Sequence, residues 1–210
     1  MATAALGQAT STSSAYHDPY TGIHFQRYAS GNYSFSLVLP DNPSFATTDL
    51  IGQLVSPLSP DGDGWAGVSF GSKMMGPLLL VAWPTPSKSV IVSPRLAHGK
   101  SPDSVHVYDN HPVKVKQIPE GTFVNGTHVT ATFLCEGCVN ADSFDPRASQ
   151  IWQFAWAWSQ RRVAEPGKPD TALSDHRGVY GFFGVDLEGA KSTEFLTLGI
   201  HRLCEAQVWV

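Results

Sequence analysis

Apart from Met1, the chain has two methionines, Met74 and Met75, side by side in Gly71-Ser72-Lys73-Met74-Met75-Gly76-Pro77. This segment is a loop-like break between two apolar runs, Trp65-Phe70 and Leu78-Trp83. A thioether is a soft, neutral ligand suited to haem iron, and paired with an imidazole it favours the ferrous state and raises the reduction potential. That chemistry calls for a histidine elsewhere as the second axial ligand. The ordinary alternative is that both methionines fill gaps at the end of a core strand, which their flexible side chains suit.

Eight histidines are available. His24, His106 and His128 fall within strand patterns, and His17 lies beside a polar N-terminal stretch that anchors poorly. His176 ends a long Pro/Gly loop and leads into Gly178-Val179-Tyr180-Gly181-Phe182-Phe183-Gly184-Val185-Asp186. Glycines let backbone come close to a flat cofactor, so His176 is the best-placed imidazole. Ser174, Asp175 and His176 do not form a catalytic triad, because adjacent residues in extended chain point apart.

The unit Cys135-Glu136-Gly137-Cys138 has three readings. Covalent haem c attachment requires histidine directly after the second cysteine, and Val139 stands there. A structural zinc needs four ligands, and Cys204 leaves the set short unless histidines contribute. A local disulfide at a strand end is the simplest choice in an oxidising compartment, leaving Cys204 as a buried thiol or an intermolecular link.

Positioning these groups requires a scaffold, and the sequence reads as all-β. Short strands are expected at Ile23-Tyr28, Tyr33-Leu39, Leu50-Ser56, Trp65-Phe70, Leu78-Trp83, Ser89-Ser93, Val105-Tyr108, Thr127-Cys135, Ile151-Ser159 and Gly178-Val185. Turn chemistry such as Ser30-Gly31-Asn32 and Ser59-Pro60-Asp61-Gly62-Asp63-Gly64 separates them, which means a sandwich or barrel. Leu78-Trp83 is apolar throughout, as in a central strand covered on both sides, with a ligand as one possible cover. Trp152, Phe154, Trp156 and Trp158 share one strand face, a core face or a sugar-binding platform.

Composition sets limits on partners. With 42% hydrophobic and 15% charged residues, and a formal charge of -4, the chain offers no electrostatic footprint for nucleic acid. No apolar run approaches the roughly 20 residues of a spanning helix, so no membrane insertion is expected. Sequons at Asn32-Tyr33-Ser34 and Asn125-Gly126-Thr127 point to a secretory route and an extracellular glycoprotein. Residues 1–15 read as a mobile tail or a signal-peptide remnant, with folded structure from about Tyr16.

Gly71-Ser72-Lys73-Met74 before Leu78-Leu79-Leu80-Val81-Ala82-Trp83, Ile91-Val92-Ser93, Phe133-Leu134-Cys135-Glu136-Gly137-Cys138, and His176 before Gly181-Phe182-Phe183-Gly184-Val185-Asp186 occur in order. Together they resemble the cytochrome domain of fungal cellobiose dehydrogenases, from about Tyr16 to Asp186. The resemblance implies an antiparallel, immunoglobulin-like β-sandwich binding haem b non-covalently at one end. It implies Met74 and His176 as the six-coordinate iron's axial ligands, because three residues separate Met74 from the Leu-Leu-Leu-Val-Ala-Trp strand. It also implies a Cys135 to Cys138 disulfide.

The haem domain is expected over 16–189, followed by a segment of unknown role at 190–210 without linker composition. No flavin-containing domain is read in the chain, so sugar oxidation by this chain alone is not expected. With both axial positions filled, outer-sphere transfer of one electron is the favoured chemistry. Arg95, His98 and Lys100 are candidate propionate partners, and Tyr180 and Phe182 candidate walls for the macrocycle. The leading expectation is a secreted relay from a flavin-dependent sugar dehydrogenase to a copper lytic polysaccharide monooxygenase or ferric iron. A haem-free carbohydrate-binding sandwich and a free-standing ferric reductase are the alternatives.

Overall fold

The computed structural model describes residues 13–42, 49–147, 151–177 and 179–198. Alternation drives strand formation: in Tyr33-Ser34-Phe35-Ser36-Leu37 large apolar side chains alternate with serine, so one face seeks a core. Fourteen strands result among the described residues: β1 (Ser14–His17), β2 (His24–Ser30), β3 (Tyr33–Pro40), β4 (Leu50–Pro57), β5 (Trp65–Ser69), β6 (Leu78–Pro84) and β7 (Val90–Ala97) come first. They are followed by β8 (Val105–Val107), β9 (Lys114–Gln117), β10 (Phe123–Val124), β11 (His128–Glu136), β12 (Ile151–Ser159), β13 (Tyr180–Asp186) and β14 (Lys191–Ser192).

Two sheets form. One runs β1-β2-β3-β4-β11-β10, with β9 also on β11 and β14 also on β3. The other runs β13-β12-β5-β6-β7-β8. Every strand pairing is antiparallel except β14 with β3. The inner faces meet in a core that includes Phe35, Leu37, Leu54 and Phe133 from the first sheet and Val68, Leu80 and Phe154 from the second. Phe154 is fully buried there, and Trp152, Trp156 and Trp158 pack against the same core. The aromatic face of β12 is therefore an inner face, and the sugar-platform alternative loses its surface.

All ten expected strands form, β12 with the expected bounds and the others with shifted ends. The Ser89-Ser93 expectation becomes β7, which continues through Pro94 to Ala97. Proline is tolerated because its carbonyl faces β8 and accepts from the Tyr108 N–H at 3.1 Å, so the missing N–H falls at the end of that short ladder. Four strands were not expected: β1, β9, β10 and β14 are each four residues or fewer, too short for a period to show. Ser14 and Ala15 thus belong to a strand. The described part of 190–210 also packs on the sandwich, through buried Ala190, β14 and buried Phe195. Cys204 and His201 lie outside the described residues.

Cys135 and Cys138 are buried and disulfide-bonded across 5.6 Å between Cα atoms. Gly137 makes this turn possible: its φ is +78°, and a Cβ there would meet the Pro112 carbonyl oxygen at 2.2 Å. Among the described residues no helix is long and apolar enough to cross a membrane.

Candidate functional site

The outer face of the six-stranded sheet carries two side-chain rows set by register. One is Phe182, Ala155, Ser69, Leu79, Arg95; the other is Tyr180, Ala157, Gly67, Val81, Ser93. Small residues on β12 and β5 leave a low apolar floor between the aromatics of β13 and the aliphatics of β6. This explains the uniformly apolar β6: its even positions enter the core, and Leu79 and Val81 form a second cluster outside with Trp65, Trp83, Val163 and Leu173.

Two connections rise over this floor. The β5–β6 loop carries Met74, and its start is fixed by the Ser69 hydroxyl donating to the Lys73 carbonyl at 2.6 Å. Its end is tied by the Gly76 N–H to the Ala97 carbonyl at 3.2 Å, with Gly76 at φ +97°. Met74 is half-buried against Trp65 and its neighbours, whereas Met75 is 38% exposed. The β12–β13 connection carries His176. The Trp65 indole N–H donates to Ser174 Oγ at 2.9 Å, and the Ser159 hydroxyl donates to the Asp175 carbonyl at 3.0 Å. Edge-on contacts with Trp65 and Tyr180 hold the imidazole, at ring separations of 6.3 and 5.5 Å.

Between floor and loops lies a cleft of about 480 Å³ lined by Met74, His176, Tyr180, Phe182 and Lys100 among the expected residues. It also takes in residues that sequence reasoning missed, notably Trp65, Gly67, Ser69, Lys73, Ala155 and Ala157. The signal for these existed in the alternation of β12, where alanines occupy the positions between aromatics. Tyr180 and Phe182 are 57% and 58% exposed, so they form an open edge.

Arg95 and His98 do not line the cleft. Arg95 is 1% exposed, and its guanidinium is spent on Ser93 Oγ and on the carbonyls of Pro169 and Thr171. Burial pulls its pKa down from the ordinary value, with nearby Asp170 acting against that shift. His98 is exposed and lies beside His106, with ring centroids 5.7 Å apart. A direct propionate contact from either is not what this arrangement provides.

The residues present fit a haem. A macrocycle needs a flat apolar slot, two axial donors and cationic or hydroxyl partners for two carboxylates. The cleft supplies the floor, a thioether and an imidazole, and its lining cations are Lys73 and Lys100; an adjoining recess shares Met74, Lys100 and His176 and adds Asp175 and Arg177. His176 Nδ1 is buried without a hydrogen-bond partner among the described residues, so this imidazole is not committed to a structural hydrogen-bond network. Among the described residues no group of three or more His, Cys, Asp or Glu is placed to hold a metal ion.

Fold and cleft together define a class, the β-sandwich cytochrome domain. The chain belongs to the family described as the cytochrome domain of cellobiose dehydrogenase, whose model matches residues 16–197. It is similar in structure to the cytochrome domain of Myriococcum thermophilum cellobiose dehydrogenase, with a TM-score of 0.79 and 24% identity over 92% of this chain and 97% of that one. It is also similar to the cytochrome b domain of pyranose dehydrogenase from Coprinopsis cinerea, with a TM-score of 0.74 and 21% identity over 92% and 96%. At these identities the likeness carries the fold.

Proposed function

We propose that the chain holds one haem b non-covalently between Met74 and His176 and relays single electrons outside the cell, from a flavin-dependent sugar dehydrogenase to a copper lytic polysaccharide monooxygenase or ferric iron. The observation that carries this is the meeting of Met74 and His176, far apart in sequence, on one apolar cleft. Haem b bound there supplies a one-electron ferric/ferrous couple. The chain does the rest. Met74 and His176 would hold the iron and leave no position for oxygen or substrate, which would limit the site to transfer of single electrons. Leu79, Val81, Ala155 and Ala157 exclude water from the floor, and Lys73 and Lys100 offset the propionate charges. Tyr180 and Phe182, both more than half exposed, bring the slot close to the surface where partners dock.

An extracellular, glycosylated protein is part of the same reading. Both sequon asparagines, Asn32 and Asn125, are exposed in turns, where an oligosaccharide is tolerated. Stopped-flow mixing tests the relay. Anaerobic addition of a sugar-reduced flavin dehydrogenase should reduce the haem, and ferric chelate or oxidised copper monooxygenase should then reoxidise it. Absence of reduction by such donors would overturn the donor assignment and favour the free-standing ferric reductase.

A further inference from the structure

The β12–β13 connection does not run straight from Ser159 to Tyr180. It folds back as a strap over the outer face of β6 and β7, with Val163 and Leu173 buried against Leu79, Val81 and Trp83. The strap closes on itself through the Ala164 N–H to the Ala172 carbonyl at 3.1 Å and the Glu165 N–H to Thr171 Oγ1 at 2.7 Å. Its backbone also meets three side chains rising from the sheet. The Trp83 indole N–H donates to the Pro166 carbonyl at 3.0 Å, and the Ser93 hydroxyl donates to the Pro169 carbonyl at 2.8 Å. Arg95 Nη2 donates to the carbonyls of Pro169 at 2.6 Å and Thr171 at 2.9 Å, while Nε donates to Ser93 Oγ at 2.8 Å.

A buried guanidinium is an expensive way to hold a loop unless its fork meets fixed acceptors, and here it does. Register makes the arrangement functional. Arg95 lies in the same cross-sheet row as Leu79, Ser69 and Ala155, so the strap covers one half of the row and the cleft occupies the other. Leu173, two residues beyond the gripped Thr171 carbonyl, is both a strap anchor and a cleft wall, and His176 follows three residues later.

We propose that Arg95 is a positioning residue: it grips the strap from the sheet beneath and thereby fixes the arm that carries His176. Removing the fork leaves the buried Thr171 carbonyl unpaired and the Pro169 carbonyl held by Ser93 alone, lifts Leu173 from its seat and slackens the imidazole, while the Met74 loop, tied to Ser69 and Ala97, stays in place. The inference rests on His176 being an iron ligand.

The test compares haem-loaded full chains of wild type, Arg95→Gln, Arg95→Lys, Gly137→Ala and His176→Ala. Arg95→Gln should lose at least half of the low-spin six-coordinate spectrum. Free imidazole should restore it with the sulfur-to-iron charge-transfer band of the ferric form retained, marking the histidine side as the one that opened. Arg95→Lys should rescue in part, and if Arg95→Gln does not fold the same comparison is read from Arg95→Lys. Gly137→Ala, a destabilising change in the other half of the molecule, should keep the wild-type spectrum. In haem-free protein, trypsin should nick Arg95→Gln after Arg161 or Arg162 at least tenfold faster than Gly137→Ala. An unchanged spectrum in Arg95→Gln, no excess nicking, or imidazole rescue that loses the sulfur band would overturn the inference. A six-coordinate Met/His spectrum in His176→Ala would instead overturn the ligand assignment on which it rests.

Discussion

Met74 and Met75 are chemically identical neighbours, yet the fold gives them different surroundings. Met74 packs against the Trp65 cluster, and Met75 is 38% exposed and bridges to Ala97. Met74→Ala should therefore abolish the six-coordinate low-spin spectrum of haem-loaded protein, while Met75→Ala should leave it largely intact. Lys73 and Lys100 are exposed, and exposed charge pairs contribute about 0.2–1 kcal/mol each. Replacing both with glutamine should weaken haem retention by several-fold, measured by transfer to an apo-haem acceptor, without altering the spectrum of what remains bound. The two residues proposed as ligands stand out in sequence, as a rare methionine pair and a histidine leading into a glycine-rich strand, and the structure brings both to one cleft. Arg95 reads in sequence as a propionate partner because a cation after an apolar strand looks available for an anion. Its partners in the structure include backbone carbonyls on a loop more than seventy positions away, and carbonyls leave no trace in sequence.

At the level of elements, alternation does two tasks on β12. Trp152, Phe154, Trp156 and Trp158 build the core, and the alanines between them flatten the opposite face into a floor. Ala155→Phe should fill the slot and prevent haem binding, while far-UV circular dichroism and thermal unfolding of the haem-free protein stay close to wild type. The aromatic positions were legible as one face; the floor was not, because alanine and glycine advertise no chemistry until neighbouring strands bring Gly67, Ser69, Ala155 and Ala157 side by side. The disulfide turn on β11 is a separate element with its own cost. Gly137→Ala forces a Cβ into the Pro112 carbonyl at φ +78°, so it should destabilise by more than about 1 kcal/mol, read from the denaturant midpoint. Opening the four-residue loop with Cys135→Ser should cost about 2 kcal/mol by loop-closure entropy, with little effect on the haem spectrum because the turn lies on the sheet away from the cleft.

For the molecule as a whole, the two sheets divide labour. The eight-stranded sheet closes the core and takes the described part of the C-terminal segment and the disulfide; the six-stranded sheet presents its outer face to the cleft and the strap. Turn signals and short strands made the sandwich legible, but which outer face would stay uncovered depended on the return path of the 160–177 strap, a long-range packing outcome. Haem b held on this outer face through Met74 and His176 is tested by an absorption spectrum of purified, haem-replete protein, recorded oxidised and then reduced with dithionite. Low-spin six-coordinate haem b is expected in both states, with a sulfur-to-iron charge-transfer band in the ferric form. A high-spin or haem-free spectrum, or a low-spin spectrum that survives in Met74→Ala with its sulfur band intact, would contradict it.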